Sequence, residues 1–103
     1  DVKIIGVMPS EPKHKQTALR NFTKAREPPI LDWSKIDEKF FTTDEQAYET
    51  VRKLAKEEGI FVGVSSGSAA FAALETAKKI KSGLVVALLP DSGERYLSTD
   101  LFW

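Results

Sequence analysis

The sequence predicts an α/β fold, a parallel sheet with flanking helices, and three observations carry that prediction. Residues 2–8, 60–64 and 84–89 are short runs that stay apolar on both sides of the strand alternation. That is the pattern of strands covered on both faces. Segments with a helical repeat stand before the second and third runs, at 44–58 and 67–81. Strands joined through helices at this spacing need right-handed crossovers and therefore run parallel.

Each element has a local reason. Residues 2–8 (VKIIGVM) form the first expected strand, and Pro9 ends it because it has no N–H for a ladder. Residues 10–29 have no clean period and read as a loop with at most one helical turn. Residues 39–42 fit a short strand. Thr43 reads as a helix N-cap, and Gln46 three residues on completes a capping box. Ala47, Tyr48, Val51, Leu54 and Ala55 share one helical face, and Gly59 follows as the C-cap. Residues 60–64 are the second buried strand, broken by Ser65, Ser66 and Gly67. The next helix has an Ala-rich body from Ala69 to Lys81, whose small side chains allow close packing on a sheet. Gly83 caps it, and residues 84–89 form the third strand, ended by Pro90.

Composition narrows the function classes. At 103 residues there is chain for one domain or less. Apolar residues are 42% and charged residues 29%, which excludes a disordered or fibrous polymer. Lys+Arg and Asp+Glu are 15 each, so the basic excess of a nucleic-acid binder is missing. Cysteine is absent; thiol catalysis, disulfides and Cys-based zinc sites are excluded, and a reducing compartment fits. The run at 84–89 is far shorter than the ~20 residues a membrane helix needs. The chain opens inside a strand-like run with neither Met nor a signal-like segment, which reads as a piece of something longer. Residues 1–36 hold seven basic and four acidic side chains. That excess reads either as an anion site or as a solvated loop with scattered lysines.

In open α/β sheets ligands bind outside the carboxyl ends of the strands. Three segments qualify: the loop after Met8, the Ser65-Ser66-Gly67-Ser68 turn, and residues 90–96 (PDSGERY). The serine turn enters a helix, so N–H groups and hydroxyls converge there; a plain N-cap explains serines equally well. No Gly-x-Ser-x-Gly nucleophile frame fits. His14, the single histidine, lies in a polar Lys-His-Lys stretch and makes a poor triad member. A dinucleotide-binding glycine motif and a P-loop are both missing, and no Asp or Glu shows metal-ligand spacing.

Two long motifs go further. Residues 57–70 (EEGIFVGVSSGSAA) and 89–99 (LPDSGERYLST), in this order and at this separation, resemble the C-terminal half of the cysteine synthase and cystathionine β-synthase family. The similarity covers nearly the whole chain and is weakest over 9–35. These are pyridoxal-phosphate enzymes of the tryptophan-synthase-β-like fold. The resemblance implies replacement of the β-substituent of a serine derivative by a sulfur nucleophile, through an aminoacrylate intermediate. It implies that Ser65 bonds the pyridine nitrogen of pyridoxal 5'-phosphate. It places Asp91 and Ser92 near the ring without a catalytic role and leaves Arg95 and Tyr96 structural. The family's Schiff-base lysine, substrate-carboxylate loop and cofactor-phosphate loop belong to its N-terminal half, and nothing in this chain matches them. The chain, one partial domain over 1–103, is therefore expected to carry one wall of an active site and to be inactive alone.

The implied partners are a small amino-acid substrate, a sulfur donor and the N-terminal half, in a cytoplasmic homodimer. Neither nucleic acid nor membrane is expected, and no catalytic residue or metal ligand. The alternative is a standalone α/β regulatory or binding module that kept the sheet and lost the chemistry.

The segment after the first strand also points to a substrate. It reads His14-Lys15, then Ala18-Leu19-Arg20-Asn21-Phe22, similar to the cysteine synthase B and O-phosphoserine-using branch. There an arginine in a Leu-Arg-Asn context faces the leaving group, and Arg20 matches it. A guanidinium grips a phosphate with two parallel charge-assisted bonds. Lys13, Lys15, Lys24 and Arg26 add local positive charge that draws in a dianion; an exposed arginine in a basic loop is the plainer account.

Overall fold

The computed structural model describes residues 1–23 and 25–103; Lys24, one of the cations around Arg20, lies outside them. β1 (Ile5–Pro9) pairs in parallel with β2 (Glu38–Thr42), Ile5 opposite Glu38 and Pro9 opposite Thr42. The long connection holds one 3-10 turn, Trp33–Lys35, capped by the Asp32 side chain. β1 starts later than its apolar run. Val2 is 87% exposed, and within the strand only Met8 and Pro9 are buried.

α1 (Asp44–Lys53) starts as expected. The Thr43 side chain accepts from the Gln46 N–H, and the Gln46 side chain accepts from the Thr43 N–H. Asp44 and Glu45 stand in the first turn and Arg52 and Lys53 in the last, each charge matched to its end of the helix dipole. The helix continues through one π-helical turn, Leu54–Glu58, and Gly59 closes it in the left-handed conformation at φ 68°.

α2 (Val64–Ala77) packs on the sheet and crosses α1. Phe71 meets Phe40 of β2 edge to face, ring centroids 6.1 Å apart. At the helix crossing Gly67 lies so close that a Cβ would overlap the Ala47 carbonyl oxygen and the Val51 side chain. The buried core is Ala47, Val51, Val64, Tyr96 and Leu101, with Tyr48 and Phe102 packed against it. Arg52 fixes the tail by donating from Nε to the Leu101 carbonyl at 2.6 Å.

Two expected strands are corrected. Residues 60–64 form no ladder: Val62 makes a single antiparallel bridge to Ser92, and α2 begins at Val64. Gly59 ends one helix and Gly63 caps the next, which leaves too little chain between them for a strand. Residues 84–89 are unpaired among the described residues, and Leu84, Val86 and Leu88 are each more than 80% exposed. Their apolar pattern needs covering neighbours, and among the described residues only one parallel pair forms. The second helix is also displaced, to 64–77 from the expected 67–81. The dimensions agree with an uncovered face. The molecule is a slab of 39 × 36 × 19 Å, thick enough for two layers spaced about 10 Å apart, whereas a sheet covered on both faces needs three.

Candidate functional site

The serine turn is the first turn of α2, and a residue far along the chain holds it. Gly63 is the N-cap and supplies no side chain. Asp91 takes that place from outside the helix. Its carboxylate accepts from the backbone N–H of Ser65 at 3.3 Å and of Ser66 at 2.9 Å, and from the Ser66 hydroxyl. The backbone adds to this, Gly63 N–H donating to the Asp91 carbonyl at 3.2 Å. Glycine is required at 63 because a Cβ would overlap the Asp91 carboxylate and the Tyr96 ring. The N–H groups expected to be open to a ligand are therefore occupied.

Tyr96 continues the arrangement. Its phenol donates to the second Asp91 oxygen at 2.9 Å and lies 2.6 Å from Thr17 Oγ1. A phenol has one proton, and it is directed at Asp91, so the Thr17 hydroxyl is the donor to Tyr96. Burial would raise the Asp91 carboxyl, but the bonds from Ser66, Tyr96 and Ser65 outweigh it and hold it below the ordinary aspartate value. Burial, followed by the neighbouring Asp91 charge against the opposing Thr17 bond, pushes the Tyr96 phenol up.

One polar group in this region is left over. The Ser65 side chain is 2% exposed, and its Oγ is buried without a hydrogen-bond partner among the described residues. Its neighbours are satisfied: Ser66 by Asp91, and Ser68 by the Gln16 carbonyl oxygen at 2.5 Å and by Val64.

Arg20 is on the loop after β1, exposed, and free of ion pairs among the described residues. With His14, Leu19 and Asn21 it lines a cavity of about 430 Å³. The loop is pinned on both sides of it. The buried Gln16 amide donates to the Thr42 carbonyl at 3.0 Å and to Asp44, and accepts from Thr42 and Ser68. Asn21 donates to the Pro9 carbonyl at 2.9 Å. His14 spends Nδ1 as acceptor for the Gln16 N–H at 3.2 Å. Arg20 and Ser65 thus stand on separate elements, linked through Thr17, Tyr96 and Asp91. Sequence reasoning missed Gln16 and Thr17 as parts of this region. The available signal was an uncharged amide and hydroxyl inside an otherwise basic loop.

No helix among the described residues is long and apolar enough to cross a membrane, and no cluster of metal-ligating side chains occurs among them.

Comparison with known proteins gives a consistent result. A cysteine synthase of Aquifex aeolicus is 41% identical over 106 residues, covering 99% of this chain and 32% of the relative. Cysteine synthase B of Pseudomonas aeruginosa is 36% identical over 101 residues, covering 98% and 33%. The crystal structure of a cysteine synthase from Entamoeba histolytica superposes with a TM-score of 0.90 at 32% identity, covering 97% of this chain and 32% of that one. The chain thus spans about a third of the length of these relatives and shares their tryptophan-synthase-β-like fold. The model of the pyridoxal-phosphate-dependent enzyme family matches residues 1–91, and the chain belongs to that family, whose cofactor is pyridoxal 5'-phosphate.

Proposed function

We propose that the chain is the C-terminal portion of a pyridoxal-phosphate-dependent cysteine synthase that replaces the phosphate of O-phosphoserine with sulfur in preference to acting on O-acetylserine. The buried, unpartnered hydroxyl of Ser65 carries the cofactor part of this reading, and the exposed Arg20 beside its cavity supports the substrate preference. An unsatisfied buried hydroxyl is unfavourable by about 1–3 kcal/mol, and an acceptor placed against it relieves that. The cofactor's pyridine nitrogen is such an acceptor, so the residues present fit the group. When bound, pyridoxal phosphate supplies the electron sink that loosens the β-substituent.

The work of this chain's own residues follows from their chemistry. Ser65 would hold the ring nitrogen by donating a hydrogen bond to it while keeping its own proton. A neutral hydroxyl leaves that nitrogen unprotonated where a carboxylate would keep it charged, and the milder sink favours elimination at the β-carbon over transamination. Arg20 binds the leaving phosphate with paired charge-assisted bonds and stabilises the charge that builds on it. Lys13, Lys15 and Arg26 raise the local concentration of a dianion. The apolar face of Val2, Leu84, Val86 and Leu88 receives the remaining two-thirds of the enzyme, which brings the Schiff-base lysine and the cofactor-phosphate loop.

The test uses the complete protein. Ser65→Ala is expected to weaken cofactor binding about tenfold, the factor for one hydrogen bond to a buried group, and Ser65→Asp to shift the cofactor's visible absorbance band. Wild-type behaviour in both variants overturns the assignment. Arg20→Ala should lower the specificity constant for O-phosphoserine far more than that for O-acetylserine; equal losses remove Arg20 from substrate recognition. The present chain alone should give no borohydride-trapped adduct at a unique lysine.

A further inference from the structure

We propose that Tyr96 and Asp91 are positioning residues, a hydrogen-bonded strut that ties the Arg20 loop at Thr17 to the helical turn that carries Ser65. The inference rests on the functional reading above and names how its two sites are held in register. Asp91 grips the turn through two backbone N–H groups and the Ser66 hydroxyl. Its other contact is the Tyr96 phenol, and beyond the phenol stands Thr17. Thr17 is three residues before Arg20, and Ser65 N–H is bonded directly to Asp91. The path from one site to the other is therefore three side chains long.

The direction of the bonds gives the strut its rigidity. Thr17 donates to Tyr96, Tyr96 donates to Asp91, and the Asp91 carboxylate is the final acceptor. A charged acceptor at the end strengthens every bond in the series. The phenol has no freedom to reverse, because the carboxylate has no proton to give it. Tyr96 is 7% exposed, which limits competition from water at the middle of the path, while Thr17 at the loop end is exposed.

The strut predicts a separation of effects in the complete enzyme. Tyr96→Phe keeps the ring in the core and deletes both bonds of the phenol. It should raise KM for the amino-acid substrate about fivefold, the factor for one net hydrogen bond, with kcat changed less than KM and with cofactor affinity retained. Thr17→Val should do the same, and the double variant should be no worse than either alone. Asp91→Asn leaves a weaker acceptor at the N–H groups of the turn and should lower cofactor affinity instead. A purely structural role would lower the melting temperature and leave the KM-to-kcat split untouched.

A second readout needs no bound cofactor. In the cofactor-stripped complete protein, amide hydrogen exchange at residues 16–20 should speed up in both Tyr96→Phe and Thr17→Val. Additive effects of the two variants on KM, or unchanged exchange in both, overturn the strut. Failure of the wild-type protein to take up pyridoxal phosphate overturns the functional reading instead, and the exchange result still decides the strut.

Discussion

The apolar run 60–64 with the serine turn that follows it, and the apolar run 84–89 with the polar loop that follows it, meet opposite fates. In the first, Val62, Val64, Ser65, Ser66 and Ser68 are buried, and Asp91, Gln16 and backbone carbonyls satisfy the serines apart from Ser65. In the second, Leu84, Val86 and Leu88 stand in the open beside a groove of about 470 Å³ shared with β1 and α2. An exposed apolar stripe of this kind marks a surface meant to be covered. The contrast teaches where the chain is self-sufficient. Polar groups close the serine turn from within, and the apolar stripe at 84–89 is left uncovered.

The largest way to break the contrast is to disturb the closed region at its tightest point. Gly67→Ala drives a methyl into the Ala47 carbonyl and the Val51 side chain, both on α1. Overpacking of this kind destabilises by about 3 kcal/mol. Chemical denaturation of the complete protein should show the midpoint falling accordingly. A change below about 0.5 kcal/mol, the range of ordinary surface substitutions, would mean that the α1–α2 crossing yields easily.

Next in size is a charge on the open region. Val86 is 82% exposed in this chain, so Val86→Asp is harmless if that face stays in water. Covered by the rest of the enzyme, the same substitution buries a carboxylate and should destabilise the complete protein by about 2 kcal/mol or more. Equal stability of variant and wild type would return residues 84–89 to the surface and erase the difference between the two regions.

Acid sharpens the comparison further. The Asp91 carboxyl is held below its ordinary value of 3.8. A depressed folded value means that its contribution is fully present above 3.8 and is lost as pH falls through the folded value. The open region has no such group. Acid titration of the complete protein should therefore loosen the Ser65 turn below about pH 3.8, seen as loss of cofactor, and Asp91→Asn should flatten that limb. An identical acid limb in the variant would assign the transition to other carboxylates.

What the sequence disclosed follows the range of each interaction. The Thr43–Gln46 box and the left-handed Gly59 are set within a few residues, and both are legible. β2 is legible as a short strand at 39–42 and begins one residue earlier, at Glu38. The start of α2 is not legible. Ser65, Ser66 and Gly67 read as a break, and they become a helical turn because Asp91, far along the chain, accepts the N–H groups of Ser65 and Ser66, while the Gly67 N–H donates to the Gly63 carbonyl. The strand pattern at 84–89 predicts burial on both faces, and in this chain no residue of the run is buried, because the neighbours that would cover it are not among the elements formed here. Ser65 is legible as a candidate only through its motif, whereas its lack of a partner is a property of the folded surroundings.

The smallest expected effect is at Ala18, the one non-glycine residue with positive φ among the described residues, at 71°. A methyl in the left-handed region is unfavourable by about 1 kcal/mol. The loop accepts it because Gln16, Thr17 and Asn21 are each bonded to separate parts of the fold, so the backbone between them has no choice of conformation. Glycine removes that strain and adds freedom to the unfolded chain, worth somewhat less. Ala18→Gly should therefore stabilise the complete protein by about 0.5 kcal/mol, a small upward shift in melting temperature. KM for the amino-acid substrate should hold, because the anchors rather than the alanine fix Arg20. A fall in stability, or a KM that rises with the added freedom, would show that the loop is set by its own backbone, and the bonds at Gln16, Thr17 and Asn21 would then be consequences of its shape.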